Sequence, residues 1–107
     1  MSVADTFARD HLPPKSEWPE FVFDRPEYRY PQQVNCVTEL LDRRVEAGHG
    51  ARPAITTLID GKAVSCTYAQ LQAQVNRIAR VLTDDLQLVP GNRVLLRAPN
   101  TPMLAAC

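Results

Sequence analysis

Four glycines, three cysteines, and 12 basic residues balanced by 12 acidic ones withhold most of the common functional signatures from this 107-residue sequence. A net charge of zero excludes the electrostatic footprint of a nucleic-acid or anionic-membrane binder, which concentrates Lys and Arg on one face. Long apolar runs are missing: stretches such as Val94–Leu96 and Met103–Cys107 fall far short of the ~20 residues a spanning helix needs. Cys36, Cys66 and Cys107 are odd in number, widely spaced and never in a C-x-x-C pair, which excludes a disulfide framework or zinc knuckle and predicts small buried residues. The few glycines form neither a G-x-x-x-x-G-K-[ST] nor a G-x-G-x-x-G phosphate loop. G-x-S-x-G and H-E-x-x-H are missing too. Asp5 and Asp10 flank Arg9, the only Lys or Arg in the first fourteen positions, unlike a secretory or mitochondrial leader, so a cytoplasmic location is expected. The length allows one core at most.

Proline and aromatics are plentiful at one end. Pro13, Pro14, Pro19, Pro26 and Pro31 are five of nine prolines, and Trp18, Phe21, Phe23, Tyr28 and Tyr30 are five of seven aromatics. Proline at this density removes amide donors and restricts each preceding residue, so 1–34 is expected as an extended arm whose aromatics lie on a larger body. It contains no P-x-x-P spacing, which weighs against a ligand for a proline-recognising domain.

From 35 onward the pattern becomes regular. Asn35 is a candidate N-cap for a helix with Val37, Leu40, Leu41 and Val45 on one face, ended by Gly48 and Gly50, with Glu39 placed to pair with Arg43. Ala54–Ile59 and Lys62–Thr67 are runs rich in Ile, Val and Thr around Asp60-Gly61, a type I′ hairpin signal. Thr67 and Gln70 have capping-box spacing. They open an amphipathic helix striped by Tyr68, Leu71, Val75, Ile78, Ala79 and Leu82. Pro90-Gly91 predicts a turn. Arg93–Ala98 follows as a strand, and its apolar centre predicts burial in a parallel sheet. Asn100 or Thr101 then caps a helix beginning at Pro102, and the chain stops about one and a half turns into it, well short of an average helix. The expectation is an α/β chain cut inside a larger domain, with an unpaired edge and an unpaired apolar helix face that favour aggregation.

Sites of chemistry are scarce. Gly48-His49-Gly50 follows a helix, whereas a phosphate cradle precedes one, so it is expected as a C-cap with His49 at the negative end of the dipole. Asp84-Asp85 reads as solvated. Arg93 and Arg97, four apart on the predicted strand, share a face that could meet an anion, with salt bridging the simpler account. No catalytic, cofactor-binding or metal-binding residue is assigned.

The ordered set Thr67-Tyr68-Ala69-Gln70-Leu71, Pro90-Gly91-Asn92-Arg93-Val94 and Pro99-Asn100-Thr101-Pro102 resembles the start of the AMP-forming acyl-CoA synthetases, a superfamily that includes adenylation domains and luciferases. The segments 18–31 (Trp18 to Pro31) and 35–50 (Asn35 to Gly50) are similar to the lead-in of aryl-CoA ligases, most closely 2-aminobenzoate-CoA ligases and next benzoate-CoA ligases. The resemblance covers roughly residues 13–107, and Asn92 stands where Asp is more usual. It implies an arm over 1–34 and the incomplete first part of an adenylation domain over 35–107. It also implies a parent that turns an aromatic carboxylate, Mg-ATP and coenzyme A into an aryl-CoA, AMP and pyrophosphate in aromatic-compound catabolism. The family's phosphate loop, acid pocket, ribose-binding Asp, hinge and catalytic Lys lie beyond position 107. The chain alone is therefore expected to bind none of these cofactors and to be inactive, with the remainder of the ligase as its partner and no nucleic acid or membrane. The alternative is a free-standing interaction module that binds a partner through the aromatic arm.

Overall fold

The computed structural model describes residues 6–31 and 33–107. It divides into two compact units, Met1–Gln33 and Val34–Cys107. Within the first, every described residue is exposed. A single helical turn, α1 (Phe7–Asp10), is held by Thr6 Oγ1 donating to Asp10 Oδ2 at 2.8 Å and by the His11 ring donating from Nδ1 to the Phe7 carbonyl at 2.7 Å. Two 3₁₀ turns follow, Lys15–Glu17 and Pro26–Tyr28, the latter opened by a proline whose fixed φ suits a first helical position. Between and beside them the rings contact one another in sequence. Trp18 meets Phe21 edge-on, Phe21 stacks on Phe23 at 5.7 Å, and Phe23 meets Tyr28 edge-on. The Trp18 indole also donates to the Pro13 carbonyl at 2.8 Å.

In the second unit, the helical run 36–49 starts as its spacing predicts, with Asn35 Oδ1 accepting from the Thr38 amide at 3.1 Å. Its turns are wide over Thr38–Asp42 and Val45–His49, each closing i to i+5, a feature the apolar spacing does not signal. Leu41 is buried, whereas Leu40, expected on the same face, is exposed. Gly48, at φ +81°, takes the left-handed conformation that costs other residues strain and ends regular helical geometry there.

The hairpin forms as the sequence predicts: β1 (Pro53–Ile59) pairs antiparallel with β2 (Lys62–Thr67), in register Ile59↔Lys62, Thr57↔Val64 and Ile55↔Cys66, with an irregularity between Pro53 and Ile55. Asp60 and Gly61 both have positive φ, 50° and 76°, as a type I′ turn requires. The capping box is complete, Thr67 N–H donating to Gln70 Oε1 at 2.9 Å and the Gln70 amide to Thr67 Oγ1 at 3.3 Å. It opens α2 (Tyr68–Arg80), which continues as a wide turn over Val81–Asp85. Two main-chain bonds, Ala69 N–H to Gly50 O and Tyr68 N–H to Arg52 O, join the start of α2 to the approach to β1. Gln72 Nε2 donates to Asp42 Oδ1 at 2.8 Å and ties α2 to the preceding helical run.

Beyond α2 the expectation of a parallel strand fails. The two hairpin strands are the only ones among the described residues, and 93–98 has neither strand pairing nor helix. A parallel strand exists only with a laterally bonded neighbour, and here Leu95 is 92% exposed. The preceding turn does form: Asn92 N–H donates to the Val89 carbonyl at 3.1 Å and Gly91 sits at φ +99°, the type II arrangement. α3 (Pro102–Ala106) begins with Pro102 in its first turn and Thr101 as N-cap residue, without a side-chain capping bond. Its Ala106 and Leu41 are the buried apolar residues of the described chain. Cys36 and Cys107 are exposed and only Cys66 is half-buried, which corrects the expectation of three buried thiols. No helix among the described residues is long and apolar enough to cross a membrane.

Candidate functional site

The alternation of β1 and β2 places Ile55, Thr57, Val64 and Cys66 on one face of the hairpin, while Thr56 and Ser65 meet across the strands through their hydroxyls at 2.9 Å. α2 runs past with Gln70, Gln74 and Arg77, spaced by four and three so that they share one side. Between the two lies an open groove of about 360 Å³, with Pro102 of α3 at its edge. Sequence reasoning misses it because Gln74 and Arg77 read as the solvated side of an amphipathic helix. The signal that finds it is the pairing of that polar side with the apolar hairpin face.

The groove's polar side chains are the Thr57 hydroxyl, the Cys66 thiol, two amides and one guanidinium, with Ser65 also in the lining while its hydroxyl meets that of Thr56. The amides are already engaged: Gln70 completes the capping box, and Gln74 Nε2 lies 3.5 Å from Met103 Sδ, to which it donates. No histidine or carboxylate lines the groove. A hydroxyl or thiol nucleophile needs an adjacent base, and general acid–base catalysis needs a titratable group in reach of the substrate. The arrangement can contact an apolar surface and offer one cation, Arg77. Among the described residues no group of three or more His, Cys, Asp or Glu side chains could hold a metal ion.

The residues considered from sequence are not gathered here. Glu39 and Arg43 pair with each other along their helical run, as predicted. His49 closes the last wide turn of that run. Thr83 Oγ1 donates to Asp84 at 2.9 Å, and this aspartate stays exposed with Asp85. Arg93 donates to the Gly91 carbonyl at 2.8 Å, bracing the Pro90-Gly91 turn; with no strand beneath them, its spacing from Arg97 sets no common anion-facing side.

Compared with known proteins, residues 41–107 match the family model described as AMP-binding enzyme, a span that contains the whole groove. The acetyl-coenzyme A synthetase of Mycobacterium bovis is 42% identical over 74 residues, covering 65% of this chain and 11% of the relative. That of Mycolicibacterium smegmatis is 43% identical over 72 residues, 65% of this chain and 8% of the relative. That of Streptomyces avermitilis is 38% identical over 71 residues, again 65% and 11%. The chain thus spans about a tenth of the length of the curated relatives it matches. No solved structure matches it.

Proposed function

The chain belongs to the AMP-binding enzyme family, and on that premise we propose that it forms the opening part of an ATP-dependent, AMP-forming acyl-CoA synthetase. The observation that carries this reading is the family match over 41–107, supported by acetyl-CoA synthetases of 38–43% identity. In the whole enzyme, ATP activates a carboxylate as an acyl-adenylate with loss of pyrophosphate. Coenzyme A then displaces AMP, because an adenylate leaves readily where a bare carboxylate oxygen does not.

ATP, magnesium and coenzyme A belong to that whole enzyme. The described residues do not fit them: one arginine borders the groove, no glycine-rich turn precedes a helix, and no metal-ligand cluster is formed. No catalytic step is therefore assigned to a side chain here. The contribution proposed for this segment is architectural, a capped helix fixed on a hairpin, with the remainder of the ligase as its partner in the cytoplasm.

Acetate is the acid substrate, the source of the acyl group, favoured by the names of the curated relatives. The finer reading, an aromatic acid such as 2-aminobenzoate or benzoate, rests on segments 18–31 and 35–50, most of which precede the family match at 41. Grafting residues 41–107 in place of the matched segment of the M. smegmatis acetyl-CoA synthetase tests the family reading. The graft is expected to keep acetate-dependent ATP–pyrophosphate exchange, and a graft that fails to fold or folds without exchange overturns it. Grafting 13–107 into a benzoate-CoA ligase in parallel tests the finer reading, which stands only if that host keeps the larger share of its own activity. The 107-residue chain alone is expected to release no pyrophosphate from ATP with acetate, benzoate or 2-aminobenzoate.

A further inference from the structure

We draw no further inference here: the strongest candidate, the open groove between the Ile55, Thr57 and Val64 face of the hairpin and the Gln70, Gln74 and Arg77 side of α2, is an unpartnered apolar face with a single cation at its rim, and nothing in the structure shows what covers it.

Discussion

Residues 53–85 and residues 86–101 of the same unit differ sharply in outcome although both are rich in branched aliphatic side chains. The first stretch forms a hairpin and a helix whose backbone bonds run mostly between near neighbours in the stretch. The second keeps one type II turn and then runs through Val94, Leu95 and Leu96, all of them exposed. Hydrophobic content alone therefore does not decide structure. A hairpin and a helix find their hydrogen-bond partners a few residues away, whereas a lone apolar run must find them elsewhere or remain unpaired.

Substitutions can break or sharpen this contrast. The largest effect is expected from Leu41→Ala, because Leu41 is 6% exposed in a unit with little else buried. A loss of about 2–3 kcal/mol is expected from the transfer and cavity terms, read as a lower urea midpoint in far-UV circular dichroism. Next is Gly61→Val. A Cβ there meets nothing within 4 Å, so the whole cost, roughly 1–2 kcal/mol, comes from forcing a β-branched residue to φ +76°. Faster amide exchange across β1 and β2, with α2 less affected, is the expected reading, and unchanged exchange would refute the I′ assignment. Thr67→Ala removes the acceptor for the Gln70 amide and is expected to cost about 1 kcal/mol, with exchange at the first turn of α2 rising before that at its centre. The smallest effect belongs to the unpaired stretch. Leu95→Lys is expected to change stability by no more than about 0.5 kcal/mol while reducing self-association in sedimentation velocity, since it removes an almost fully exposed apolar side chain. A large loss of stability on that substitution would show that 93–98 is packed after all.

The same contrast explains what could be read from the amino-acid order. Asp60-Gly61, Thr67 with Gln70, Pro90-Gly91 and Asn35 are short-range signals, and each produces the local geometry its chemistry requires. The apolar centre of 93–98 is also a real signal, but it specifies burial without specifying a neighbour, and strand pairing is a property of two segments. The widened turns of 36–49 escape an i, i+4 reading because an extra residue per turn leaves Leu41 inside and Leu40 outside. The groove was hidden for a related reason: polar residues on a helix suggest solvent unless the opposing hairpin face is known. The family resemblance was legible from ordered motifs and holds at the level of the AMP-binding enzymes.

The pair of main-chain bonds from the start of α2 to Gly50 and Arg52 bears on the order in which the molecule assembles. They close the hairpin at its base, making a ring of about twenty residues whose closure entropy is modest because that cost grows only with the logarithm of length. Such a ring is expected to zip from the Asp60-Gly61 turn on the microsecond timescale of isolated hairpins and then serve as a template for the first turn of α2. In kinetic terms the segment 50–69 is expected to nucleate this unit, and φ-values near 1 for substitutions at the Asp60-Gly61 turn and near 0 in α3 would check it.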